Sequence, residues 1–232
     1  MESRYFETER YYPDLVNARR RGGLELKAIR KWLGSKKDQK ILEIGCGCGS
    51  LLLALLDEGY TDCSGIDQDQ ILVAHGRNPL NAPVAVASWA PYLEDKVGIF
   101  DVIIAIDVLE HLPREELLKT LAITYKGLAP GGRLILRIPN ALCPFALATL
   151  YGDLTHQFLL TPRTAKYLLH LGGFCGKVII DETRPSNRIR RVLFTILHRL
   201  IVKPLCGLAY YHFHGEFPSH VTPNIICCAY KS

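Results

Sequence analysis

The sequence predicts an α/β fold, an open sheet that is parallel over most of its strands and covered by helices on both faces. Three observations predict it. Apolar runs of strand length alternate with segments of helical period from about residue 24 to residue 173. The first strand runs directly into a glycine-rich turn and a helix, and an acid closes the second strand. A chain of 232 residues with 48% apolar and 22% charged side chains suits one domain and excludes disordered or fibrous classes.

Gly22 and Gly23 precede a stretch of helical period over 24–33, apolar at 24, 26, 28, 29, 32 and 33. A strand is expected at 40–44, a helix at 50–58, a strand at 63–66 and a helix at 70–76. A short strand at 84–87 precedes a longer buried one at 100–106. Pro113 opens a helix over 114–127, where Glu115 and Glu116 favour the positive end of the helix dipole and Lys126-Gly127 mark its stop. The turn Ala129-Pro130-Gly131-Gly132 leads into a strand at 133–138. Thr161 caps a helix that runs to residue 171, and 177–180 and 224–230 read as strands. No repeat or low-complexity linker divides the chain.

The segment Ile41-Leu-Glu43-Ile-Gly45-Cys46-Gly47-Cys48-Gly49-Ser50 places three glycines at alternate positions between a strand and a helix. Glycines there let the main chain turn sharply and let a ligand approach the amides of a helix N-terminus. A dinucleotide fingerprint needs a further glycine where this chain has Ser50, and a phosphate-binding P-loop needs a Gly-Lys-Ser/Thr that is missing. Glu43, an acid inside a strand end, is costly unless it meets a polar or cationic ligand. Asp67 ends the second strand, well placed to accept hydrogen bonds from ribose hydroxyls, whereas Asp69 is expected to cap the next helix. Cys46 and Cys48 have no second Cys/His pair nearby, so no metal site is expected.

These residues, with Phe100-Asp-Val-Ile-Ile-Ala-Ile-Asp107-Val-Leu-Glu110-His111 and the turn Leu128-Ala-Pro-Gly-Gly-Arg-Leu, resemble the class I S-adenosylmethionine-dependent methyltransferases over about residues 38–140. The resemblance implies a Rossmann-like, doubly wound sheet of seven strands whose last strand is antiparallel. It implies S-adenosyl-L-methionine as cofactor, with the methionine part on Glu43, Gly45, Cys46, Gly47 and Gly49 and the ribose on Asp67 beside Gln68. Ser88 and Trp89 would flank the adenine, Ser88 standing where the family more often has an acid, and Asp107 would line the methionine end.

Methyl transfer from a sulfonium mainly needs an aligned nucleophile, and proximity alone supplies about 7–11 kcal/mol. An alcohol acceptor gains further from a general base. Asp153, Thr155 and His156 fall within four residues of apolar sequence after the fifth strand, and Asp153 with His156 form the candidate base–orienter pair. His111 reads instead as a structural residue at a helix entry. The Gly152-Asp-x-Thr-His…Phe158-x-x-Thr-Pro162 stretch resembles a bacterial group of these methyltransferases found with polysaccharide and lipid-linked glycan biosynthesis, which implies a sugar hydroxyl as acceptor. A small aromatic or quinone-like acceptor, stacked on Tyr5, Tyr11 or Tyr12, is the alternative, as is a non-catalytic scaffold that only binds the cofactor.

The net charge of +5 is uneven: residues 1–140 hold 18 basic and 19 acidic side chains, whereas 141–232 hold 10 and 4. The excess sits in a helix expected over 187–203, stopped by Pro204, with one apolar stripe and no acid nearby. Such a helix suits an anionic membrane surface, although packing on its own domain or across a homodimer interface explains it as well. No Asn/Asp-Pro-Pro-Tyr/Phe motif points to nucleic acid. Residues 1–12 are charged rather than leader-like, no apolar run reaches 18 residues, and the eight cysteines are too sparse for a disulfide scaffold. A cytoplasmic enzyme, peripheral on the inner face of a membrane, is therefore expected. Within the single domain 1–232, residues 1–35 would form a helical cap, 140–162 an acceptor-side insert and 184–215 the basic insert.

Overall fold

Alternation along the strands divides the core into two layers. The structure, a computed structural model, describes residues 13–78, 80–183, 192, 195–218 and 220–232. Strands β1 (Lys40–Ile44), β2 (Asp62–Asp67), β3 (Val84–Val86), β4 (Phe100–Ile106), β5 (Leu128–Pro139), β6 (Val178–Glu182) and β7 (Asn224–Tyr230) form one sheet in the order β3-β2-β1-β4-β5-β7-β6. The first five pair in parallel, and β7 lies antiparallel between β5 and β6. Ile41, Val102, Ile104 and Ile135 face one layer of helices, α1 (Leu15–Ile29), α2 (Ser50–Asp57) and α3 (Gln70–Arg77). Leu42, Ile44, Ile103 and Leu134 face the other, α4 (Trp89–Leu93), α5 (Leu117–Gly127) and α7 (Pro162–Leu171). Between β1 and β4 the strand order reverses, and a crevice opens beyond the carboxyl ends of the strands there.

The strands and their connecting helices follow the expected pattern, with informative departures. Helix α1 starts at Leu15, capped by the Asp14 carboxylate on the Asn17 amide at 2.8 Å, rather than at residue 24. Gly22 and Gly23 thus lie inside it. A Cβ built on Gly22 would sit 1.8 Å from the Ser50 carbonyl oxygen, so this glycine lets α1 cross the N-terminus of α2 in direct backbone contact. Strand β5 begins at Leu128, and the turn through Gly131 (φ +73°) is a register shift within it rather than its entry. Residues 146–152 form a helix, α6 (Ala146–Gly152), that the apolar composition of the insert does not announce.

Pro204 does not stop a helix. It occupies the first turn of α8 (Lys203–His214), which continues from a π-helical turn at His198–Val202, so an irregular turn rather than a helix end accompanies the proline. Of the basic helix expected over 187–203, residues 187–191, 193 and 194 lie outside the described residues, as do Tyr5, Tyr11 and Tyr12. No helix among the described residues is long and apolar enough to cross a membrane.

Candidate active site

The glycine loop is built by close approach on two sides and left open on the third. Gly45, Gly47 and Gly49 all take positive φ (+68°, +53° and +82°). A Cβ on Gly45 would lie 2.3 Å from Val108 Cγ2, and one on Gly49 2.7 Å from Ala82 Cβ. A Cβ on Gly47 would meet nothing nearer than Leu72 Cδ1 at 3.9 Å, so the middle of the loop faces open space. The Gly45 and Cys46 amides both donate to the Ile66 carbonyl, tying the loop to the end of β2. Asp67 completes the cradle: its Oδ2 accepts from the Gly47 amide and its Oδ1 from the Asp69 amide, both at 2.8 Å. Asp69 caps α3 through the Ile71 and Leu72 amides, as expected.

Two adjoining cavities meet at this loop. The smaller, about 290 Å³, is lined by Glu43, Gly45, Cys46, Gly47, Gly49's neighbours Cys48 and Ser50, Asp67 and Asp107, together with Arg21, Glu25 and Arg137. Glu43 is 5% exposed and its Oε2 has no hydrogen-bond partner among the described residues. Burial, then the nearby Glu25 and Asp67, raise its pKa well above the usual carboxylate range. Burial likewise raises Asp67, although its amide contacts work the other way. Asp107 adopts φ +55°, and its carboxylate is gripped by Arg137, Nε to Oδ1 at 2.9 Å and Nη2 to Oδ2 at 2.5 Å. Burial opposes the charge on Arg137, but Asp107, with Glu25 and Glu110 behind it, raises the pKa overall.

Arg21, Glu25 and Arg137 were not among the residues expected here. Arg21 and Glu25 belong to the part of α1 that the glycine pair hides. Arg137 left a signal: a charge within the apolar strand Leu134-Ile-Leu-Arg-Ile138 needs a buried partner.

The larger cavity, about 830 Å³, extends from Gly45 and Asp67 past Gln68, Ser88 and Trp89 to His111, Leu154, Thr155 and Gln157. Trp89 is buried and donates its indole N–H to Thr124 Oγ1 at 2.9 Å, so its ring is fixed in the α4–α5 packing. Thr155 Oγ1 donates to Asp153 Oδ1 at 2.7 Å and therefore accepts from His111 Nδ1, also at 2.7 Å. His156 Nδ1 meets the Thr149 carbonyl at 2.9 Å, which only accepts. Both imidazoles are thus assigned the Nδ1–H tautomer, each with a free Nε2 lone pair, and their rings stand 4.8 Å apart. Burial, then His156, lower the pKa of His111. His156 Nε2 is 3.9 Å from Asp153 Oδ2, a looser pairing than the Asp153–Thr155–His111 chain, and His111 rather than His156 reaches the cavity wall. Beneath them Glu110 is 2% exposed, and burial pushes its pKa up to about 8.

An open α/β sheet with a glycine cradle, an acid at the end of β2 and a deep cavity at the reversal of strand order defines a class I S-adenosylmethionine-dependent methyltransferase. The chain belongs to the methyltransferase-domain family, whose pattern matches residues 17–175. Its fold is similar to that of an S-adenosylmethionine-dependent methyltransferase from Archaeoglobus fulgidus, at 20% identity and TM-score 0.68 over 92% of this chain and 94% of that one. It is also similar to one from Thermotoga maritima, at 14% identity and TM-score 0.63 over 100% and 94%. Phosphoethanolamine N-methyltransferase 2 of Haemonchus contortus, solved with S-adenosyl-L-methionine, matches at 17% identity and TM-score 0.60, over 89% of this chain and 51% of that one. No curated protein matches the chain. S-adenosyl-L-methionine is the cofactor, and the site fits it: an orphaned buried carboxylate oxygen suits a cationic ligand, and the open Gly47 backbone admits a close approach.

Proposed function

We propose that this methyltransferase acts on a hydroxyl of a sugar or glycan-related acceptor. The observation that carries the reading is the Asp153–Thr155–His111 chain beside the larger cavity, with His156 packed against His111. An amine or thiol acceptor needs little beyond alignment, whereas an alcohol gains from a base with a free imidazole nitrogen. Glu43, Asp67 and the glycine loop would hold the cofactor, with Gln68, Ser88 and the edge of Trp89 on its adenine side and Asp107 towards its methionine end. The bound cofactor supplies an activated methyl group, so an O–C bond forms as a C–S bond breaks. The acceptor proton passes to His111, which Asp153 orients through Thr155 and against which His156 packs. His111→Ala and His156→Ala should each lower kcat on a hydroxyl acceptor by roughly 10²–10⁴-fold. Cofactor affinity should stay within a few-fold of the wild type, measured by calorimetry. Undiminished turnover in both variants refutes the base assignment.

We further propose that the basic C-terminal segment attaches the enzyme to an anionic membrane surface. Support comes from the apolar side chains Leu197, Leu200, Ile201, Leu205 and Leu208, exposed on consecutive helical turns that also carry Arg199 and Lys203. A lipid-linked acceptor would make this attachment useful.

A further inference from the structure

Glu110, His111 and His156 come together from two parts of the chain, the turn after β4 and the loop after α6. One donor atom of each lies within 4.8 Å of the others, close enough for small side-chain rotations to bring all three onto a single ion. Neither Glu110 oxygen has a hydrogen-bond partner among the described residues, although the side chain is almost wholly buried. A buried carboxyl with both oxygens unmatched is a rare and costly arrangement, and it stands here against two imidazoles. The neighbours of those rings are equally telling. The Thr149 carbonyl holds His156 by Nδ1, and Thr155, itself held by Asp153, does the same for His111. Metal-ligating histidines are oriented in this way, one ring nitrogen donating to a carbonyl or to a carboxylate-backed group while the other keeps its lone pair for the ion.

We infer that Glu110, His111 and His156 form a site for a single divalent transition-metal ion at the edge of the larger cavity. Two imidazoles and one carboxylate favour an ion of the zinc, iron, cobalt or manganese kind over calcium or magnesium, which prefer all-oxygen shells. Three protein ligands leave coordination positions open. Because His111 lines the cavity, an acceptor oxygen can occupy one of them. On the proposed hydroxyl-acceptor reading, on which this role but not the site itself rests, the ion would occupy the imidazole lone pairs that otherwise serve as base, bind the acceptor oxygen and lower the pKa of its hydroxyl, so that the proton leaves to solvent before the methyl group is transferred.

The test is titration of Co²⁺ into the full chain after chelator treatment and desalting, followed by visible absorption. The expected result is one equivalent bound per chain, with ligand-field bands and a raised thermal midpoint. Glu110→Gln and His156→Gln should each weaken binding by at least about 100-fold. Thr155→Val, which removes the hydroxyl that orients His111, should weaken it by roughly tenfold. Melting each variant without metal shows that it folds. Absence of saturable Co²⁺ binding to the wild type, or binding that survives both ligand substitutions, overturns the site. Hydroxyl methylation that persists in chelated, metal-free enzyme overturns the ion's role in the reaction and returns the base to the imidazoles, while leaving the acceptor reading intact. Ligand-dependent Co²⁺ binding in an enzyme that methylates only amines or thiols supports the site and removes the acceptor reading instead.

Discussion

Ionising Glu43 in the cofactor-free protein places a negative charge on a side chain that is almost fully buried, with Glu25 and Asp67 nearby. Its pKa lies above the ordinary glutamate value, so the folded state binds more protons than the unfolded state once pH passes that value. Stability contributed at low pH is therefore lost as pH rises through the usual carboxylate range towards the folded pKa. Asp67, raised in the same direction, adds to that slope. Glu43→Gln keeps the shape and removes the charge. Without cofactor, the variant should melt higher than the wild type at pH 8, and the gap should narrow at pH 5. Binding should change the opposite way: losing a hydrogen bond to a charged group costs about 1.5–3 kcal/mol, or roughly 10–150-fold in cofactor affinity. Calorimetry with S-adenosylhomocysteine and with S-adenosylmethionine measures it, and equal affinity in variant and wild type would remove Glu43 from the cofactor site. Glu43 is legible in the sequence because an acid in an apolar strand demands a reason. The second use of Asp67 is not legible, since an amide contact across 20 residues leaves no trace in spacing.

Helix α1 shows at the element scale why local signals fail where backbones touch. Two adjacent glycines read as a break, yet the first is demanded by the crossing with α2 and the second faces open space. Alanine should therefore act with opposite signs at the two positions. Gly23→Ala gains helix propensity and should stabilise by about 0.5–1 kcal/mol. Gly22→Ala gains the same propensity but drives a methyl group into the Ser50 carbonyl, and overpacking of this kind costs about 1–3 kcal/mol. The helix carries Arg21 and Glu25 to the smaller cavity, so Gly22→Ala should also weaken cofactor binding, whereas Gly23→Ala should leave it unchanged. Chemical denaturation of the two variants checks the signs, and destabilisation by both would mean that the crossing is not the cause. The strands and the helices α2, α3, α5 and α7 are legible because periodicity, caps and turn residues agree there. The Thr161–Thr164 capping box at α7 shows that agreement most fully. Pro204 misleads for a related reason: proline marks either end of a helix, and only the π-helical turn before it decides which.

At the scale of the whole molecule, the excess of positive charge and a run of exposed apolar side chains fall in the same stretch of sequence, after the strands that build the cofactor site. Residues 1–140, which build β1 to β5 and the cofactor site, are nearly neutral, whereas the six basic residues from Arg184 to Lys203 equal the whole excess of the remainder. Leu200, Leu205, Leu208 and Phe213 are each more than 60% exposed in the following helical segment, and burying such side chains in a lipid interface returns the hydrophobic free energy that water withholds. Vesicle co-sedimentation at low salt should therefore show the intact protein bound to anionic vesicles and free from neutral ones. Each basic side chain near an anionic surface contributes about 1 kcal/mol, so replacing Arg188, Arg190, Arg191 or Arg199 by Gln should lower partitioning roughly fivefold per substitution. Raising the salt to about 1 M shortens the screening length to about 3 Å and should release most of the protein. Replacing Leu200 and Leu205 by Ser should weaken binding at every salt concentration, because apolar insertion is not screened. The pattern separates a membrane surface from a second copy of the chain: a homodimer built on the same face would persist without vesicles, depend on protein concentration, and tighten rather than loosen at high salt. Absence of binding to anionic vesicles, with such a dimer seen by light scattering, assigns the face to self-association and removes the membrane from the account of how the enzyme meets its acceptor.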